Sequence, residues 1–199
     1  MSPGEEKAWE SLGKLNPDDV CVRTDATFDA SSGLYTIKSF GKDIFISHRE
    51  RKIFSHSPNS DVLLQRLGYF FNFSVLCYLT MAKDMSLTGR LLKPANMKSG
   101  QLFFRGSHVL PLDKIAQRFG NDTDSFLKRG EYVCGERLTY GDASLRLLPL
   151  PRVPAILILW SADEEFLPRA DLLFDSSVEI QLPIDVIWSI AMLSVLVML

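Results

Sequence analysis

A chain of 199 residues is long enough to bury roughly two-thirds of its unfolded surface, and 46% hydrophobic with 23% charged residues places it among globular proteins rather than disordered, collagen-like or membrane-embedded chains. Its 22 basic and 24 acidic residues give a net charge of -2, and no run of Lys and Arg follows a phosphate backbone, which argues against nucleic acid as a partner. Three cysteines, Cys21, Cys77 and Cys134, are odd in number and far apart, and no secretory signal opens the chain, so a reducing, cytoplasmic compartment without disulfides is the expectation.

Residues 5–15 carry helix formers with Trp9, Leu12 and Leu15 at three-residue spacing, an amphipathic helix that Pro17 is expected to end. An N-terminal helix and linker over 1–18, followed by one α+β domain over 19–199, is the organisation this predicts. Short β-rich runs at 20–23, 34–39, 43–47 and 52–54, parted by Ser31-Ser32-Gly33 and Gly41-Lys42, predict an antiparallel meander with one face buried under helices.

Residues 61–81 read as a long central helix capped by Ser60 or Asn59. Leu63, Leu64, Leu67, Phe70, Phe71, Val75, Leu76 and Leu79 cover more than one stripe of it, so it should be enclosed on several sides. Gly89, Pro94, Gly100 and Gly106 make 83–108 loop-rich and partly extended. Pro111 opens a helix with Leu112, Ile115, Ala116 and Phe119 inward, ending at Gly120, and 122–129 forms another with Phe126 and Leu127 inward. Apolar runs at 145–150 and 153–160, split by Pro151-Arg152-Val153-Pro154, predict two strands, with a short one at 172–174. The uncharged stretch 186–199 falls short of the about 20 residues a bilayer span needs, so no membrane span is expected. It reads as a C-terminal helix docked on the core, with a membrane-surface helix or a contact helix for a protein partner or a second copy as the alternatives. The fold class is therefore α+β, an antiparallel sheet packed against a long central helix and a C-terminal helix.

Several separated motifs occur in one order: Leu87-Thr88-Gly89, Phe104-Arg105 leading to Pro111-Leu112 and Arg118-Phe119-Gly120, Gly141-Asp142-Ala143, Pro151-Arg152-Val153-Pro154, Trp160, Asp163-Glu164-Glu165-Phe166 and Phe174-Asp175. From about Asp25 onward this set resembles the prokaryotic family called domain of unknown function 3786. The resemblance implies a domain of mainly anaerobic bacteria and archaea, some members of which carry an iron–sulfur-type cysteine cluster ahead of it, and it implies no activity. Only Cys21 lies in that region here, and without a Cys-x-x-Cys spacing no such cluster is expected in this chain.

Two constellations offer chemistry. Asp163, Glu164 and Glu165 follow an apolar strand beside Trp160, with Asp171 and Asp175 beyond; carboxylates at a strand end can bind a hard cation or move protons if one is desolvated, and a solvated turn is the plainer reading. Arg90, Lys93, Lys98, Arg105 and His108 lie in the glycine-punctuated stretch, where freed backbone N–H groups and Arg can hold a carboxylate or phosphate; a mobile surface loop is the alternative. If the two converge, structural ion pairs are equally open. His48, His56 and His108 lack metal-ligand spacing, Cys77 reads as a buried inert thiol, and Cys134 has no neighbouring base. Phe70, Phe71, Phe73, Phe103 and Phe104 read as core. Three functions stay in play. The first is a non-enzymatic binding or accessory protein in anaerobic redox or cofactor metabolism. The second is a small enzyme whose pocket joins Asp163, Glu164 or Glu165 to Arg105 and His108. The third is a structural subunit of an oligomer, which an exposed apolar patch at 186–199 would mark. No cofactor is assigned.

Overall fold

The computed structural model describes residues 3–199. Helix α1 (Pro3–Leu12) turns Ala8, Trp9 and Leu12 into the core and packs on the central helix. The Asn16 side chain then accepts the N–H of Asp18 at 2.8 Å, and Pro17 occupies the first helical position of α2 (Pro17–Thr24). Residues 20–23 are thus helical, a correction to the strand expected there. Pro17 starts a helix where its sequence position suggested only an end, and those start signals with Asp18 and Asp19 in the first turn outweigh the β-branched Val20 and Val22.

The meander is β1 (Thr27–Asp29), β2 (Leu34–Ser39), β3 (Lys42–Ser47) and β4 (Lys52–Phe54), paired antiparallel in that order. Tyr35 stands opposite Ile46 and Ile37 opposite Ile44, and all four are buried. The two-residue turn between β2 and β3 puts Phe40 and Gly41 at φ of 46° and 73°, the left-handed pair that matches hairpin twist. Phe40 tolerates that conformation because its ring is buried and its N–H donates to the Leu148 carbonyl at 2.8 Å, which ties the meander to the second sheet.

The central helix is interrupted. Val62–Arg66 form one π-helical turn before α3 (Gly68–Met81) begins. Neither the Ser60 nor the Asn59 side chain caps it; the Ser60 carbonyl accepts from the N–H groups of Leu63 and Leu64 at 3.0 Å, and Asn59 takes φ 58°. Phe71, Val75, Leu76, Tyr78 and Leu79 of α3 are fully enclosed.

Beyond it come β5 (Leu91–Leu92), α4 (Gly100–Phe103), α5 (Leu112–Phe119) and α6 (Thr123–Tyr132), so Leu102 and Phe103 lie in a helical turn rather than an extended run. Strands β6 (Glu136–Leu138), β7 (Ala143–Leu150), β8 (Val153–Trp160) and β9 (Arg169–Asp175) complete an antiparallel sheet of order β5-β9-β8-β7-β6. Leu145, Leu147, Ala155, Leu157, Leu159, Leu172 and Phe174 form its buried face.

After α7 (Val178–Gln181), α8 (Ile184–Leu196) lies against α3, β7 and β8. Val186, Ile187, Ile190, Ala191, Leu193 and Val195 are buried, so 186–199 is the docked helix expected and presents no exposed apolar patch of the kind that would mark an oligomer contact. Its last carbonyls are held by arginines from three other segments: Arg66 on Leu196, Arg129 on Val197 and Met198, and Arg118 on Leu199, cations placed where the helix dipole is negative. Among the described residues no helix is long and apolar enough to cross a membrane. The architecture is α+β.

Candidate functional site: an aromatic cavity beside His108

The acidic constellation occupies the turn between β8 and β9. Asp163 Oδ1 accepts the N–H groups of Glu165 at 2.8 Å and Phe166 at 2.7 Å, and the Asp163 N–H donates back to the Phe166 carbonyl. Asp163, Glu164 and Glu165 are all exposed. Asp142 fixes the entrance by accepting the Ser161 N–H at 2.7 Å. The turn therefore uses its first carboxylate on its own backbone, as Asx turns do. Trp160, at the end of β8, is half-buried: the Arg169 guanidinium lies 4.7 Å from its ring centroid, while its indole Nε1 is buried without an acceptor. Asp171 pairs with Lys93 at 2.6 Å, and Asp175 lies at the far end of β9.

The basic stretch is partly tied down. The Arg90 carbonyl accepts the Ser176 N–H, and the Lys98 N–H donates to Glu179 Oε1. Arg105 is exposed at the head of a single 3-10 turn, Gly106–His108. Among the described residues no hydrogen bond or ion pair joins Arg105 or His108 to Asp163, Glu164 or Glu165. No group of three or more His, Cys, Asp or Glu side chains there is arranged to hold a metal ion.

His108 has a different setting. Its ring stacks on Phe103, centroids 4.5 Å apart and planes 26° apart, and meets Trp188 edge-on at 4.8 Å and 87°. The Trp188 Nε1–H donates to the His108 carbonyl at 3.0 Å, which locks the indole against this turn. Together with Tyr69 and Phe73 from α3 and Asp185 from α8, these three side chains wall a cavity of about 250 Å³. Gly4 of α1, an exposed position, lines its edge, and a Cβ there would meet the Phe73 ring at 2.9 Å. A second cavity of about 290 Å³ adjoins it, sharing Gly4, Phe73 and Asp185 and reaching Lys7 and Cys77. Of Trp160, Arg105, His108, Asp163, Glu164 and Glu165, the ligand-binding candidates of the sequence, His108 is the one that lines this cavity. Phe73 and Phe103, read as core, are half-buried and face it instead.

Tyr69, Asp185 and Trp188 were not singled out from the sequence. The available signal was modest: Asp185 and Trp188 sit one helical turn apart on an otherwise apolar helix, and Tyr69 and Phe73 share a face of α3.

Other motif residues make tight structural contacts. The Asp175 carboxylate is buried and accepts from the Thr88 N–H and hydroxyl at 3.0 Å, the Gly89 N–H at 2.7 Å and the Ser177 N–H at 2.9 Å. Burial pushes its carboxyl upward, and the hydrogen bonds from Thr88 and Ser177 outweigh that and bring it down to about 2. Arg152 holds Asp25 at 2.7 Å, Asp84 at 2.6 Å and the Val22 carbonyl at 2.9 Å, and its own N–H donates to the buried Tyr78 hydroxyl at 3.2 Å. Hydrogen bonds to Asp25 and Asp84 raise its guanidinium pKa further.

An α+β domain whose motif residues clamp its turns, with an aromatic cavity lined from α1, α3, α4, α8 and the Gly106–His108 turn, is the class of protein that these features define. The family model "Domain of unknown function (DUF3786)" matches residues 16–196, and the chain belongs to that family. No curated protein and no solved structure matches the chain.

Proposed function

We propose that the domain is a small-molecule binding module and that its ligand occupies the cavity walled by His108 and Trp188. The carrying observation is the convergence there of the four rings of Tyr69, Phe73, Phe103 and Trp188, the His108 imidazole and one carboxylate, Asp185, from segments far apart in the chain. Concave, mostly apolar sites with a few polar groups are where proteins take small ligands. The enzyme reading needs Arg105 and the Asp163 to Glu165 carboxylates to work on one substrate. What favours binding over it is that Asp163 serves its own turn and that, among the described residues, no hydrogen bond or ion pair joins Arg105 or His108 to that turn. The narrower setting, service to a redox or cofactor-carrying partner in anaerobic metabolism, is supported by the resemblance alone.

The test is a thermal-shift panel of small metabolites on wild type and on Gly4→Leu, whose added side chain presses on the Phe73 ring that lines the cavity. At least one compound should raise the wild-type Tm by several degrees and lose that effect in Gly4→Leu, because a ligand that binds only the native state stabilises it by mass action. Equal shifts in both proteins, or no shift from any compound, would overturn the proposal. Tyr69→Ala, at an exposed rim position, repeats the comparison with little demand on the fold.

A further inference from the structure

We infer that the ligand of this cavity is an organic ammonium cation, an alkylated amine held against ring faces with the Asp185 carboxylate as its counter-charge. The inference rests on the binding reading above and names the ligand class for the same site.

The walls supply the first argument. Trp188 meets His108 at 87° and Phe103 at 68°, so ring planes close two sides of a corner instead of lying parallel as a slot for a flat ligand would require. The Trp188 Nε1–H is already committed to the His108 carbonyl, which leaves the indole to act through its π surface. Tyr69, 70% exposed, stands at the rim. A ring face open to such a corner carries the negative side of its quadrupole, which attracts an alkylammonium group without requiring a hydrogen bond from it.

Asp185 supplies the second. Asp185 is exposed at the cavity's edge; its Oδ1 accepts the N–H of Val186 in its own helical turn, and among the described residues no Lys or Arg nitrogen lies within ion-pair distance of it. Lys7 lines the adjoining cavity and not this one. An anionic ligand would meet this carboxylate with no Lys or Arg on the cavity wall to hold it. Size is the third argument. About 250 Å³ falls below the roughly 300–1,000 Å³ of sites for drug-sized ligands and suits a compact head group rather than a nucleotide.

The experiment is isothermal titration of the full chain with choline and with its neutral carbon isostere, in which a tert-butyl group replaces trimethylammonium. Choline should bind about tenfold or more tightly than the isostere. Asp185→Asn, which keeps the Oδ1 acceptor and removes the charge, and Tyr69→Ala should each weaken choline severalfold, while Asp185→Asn leaves the isostere unchanged. Equal binding of choline and isostere, or an Asp185→Asn variant that binds choline like wild type, would overturn the inference. If choline fails while other compounds of the thermal-shift panel act through the cavity, the ligand class is wrong and the binding reading stands. If nothing binds, both fall.

Discussion

The Asp175 carboxylate accepts the Gly89 N–H at 2.7 Å across 86 positions of sequence, and through it the end of β9 fixes the loop that leads into β5. Thr88 and Ser177 donate to the same group, so two loops depend on one buried charge.

Replacing Asp175 by Asn should therefore destabilise the protein by about 2 kcal/mol, the equivalent of moving a carboxyl from 3.8 to about 2. Because the folded value lies below the unfolded one, the contribution is present above about pH 4 and disappears as pH falls through about 2. Urea denaturation from pH 6 downward checks this: wild type should lose stability in that acid window, and Asp175→Asn should start lower and fall less steeply. Parallel acid curves would be inconsistent with the clamp.

Arg152 bridges α2, the loop after α3 and the β7–β8 turn through three acceptors. Lys cannot form that fork, so Arg152→Lys should lose about 1–2 kcal/mol, a modest figure because Asp25 and Asp84 are more than half exposed. Equilibrium unfolding measures it, and a change within about 0.5 kcal/mol would mean the bridge contributes little.

Trp160 is half-buried with an orphan indole N–H, so Trp160→Ala should destabilise by about 1–2 kcal/mol, less than the roughly 3–5 kcal/mol of a fully buried aromatic deletion. Arg169→Ala should lose about 0.5–1 kcal/mol from the same stack. A loss above about 4 kcal/mol at Trp160 would place the ring in the core after all.

The cysteines should separate by reactivity. Burial, with Asp185 and Glu5 nearby, pushes the Cys77 thiol up to about 12, so it stays protonated and shielded at neutral pH, while Cys134 is exposed. Brief iodoacetamide treatment of native protein followed by peptide mass spectrometry should find Cys134 modified and Cys77 intact, with Cys77 reacting only after denaturation. Rapid native labelling of Cys77 would show that α3 opens readily.

Much of the scaffold was legible because its signals are local. Gly41 marks a hairpin turn, the alternation through Tyr35 and Ile37 sets a buried face, and Pro111 with Gly120 bounds a helix; each depends on neighbours a few positions away. The segment 20–23 was misread because a proline after a helix is as good a start as a stop, and Asn16 decides it only once its side chain is seen to accept the Asp18 N–H. The cavity was hidden for a deeper reason. Tyr69, His108, Asp185 and Trp188 come from three separate segments with no shared spacing, and only the packing of α3 and α8 brings them together. His108 was named for its basic neighbours, whereas its surroundings in the fold are aromatic rings. The acidic run was conspicuous in the sequence because charge in a turn is conspicuous, and its geometry is that of a turn.

The central claim, that the cavity beside His108 takes an organic ammonium cation, is tested most directly by a crystal structure of the protein grown in the presence of choline. The account predicts density for the trimethylammonium group between Trp188 and Tyr69, facing Asp185. A cavity closed by its own side chains, or cation density at the Asp163 to Glu165 turn and none here, would contradict it.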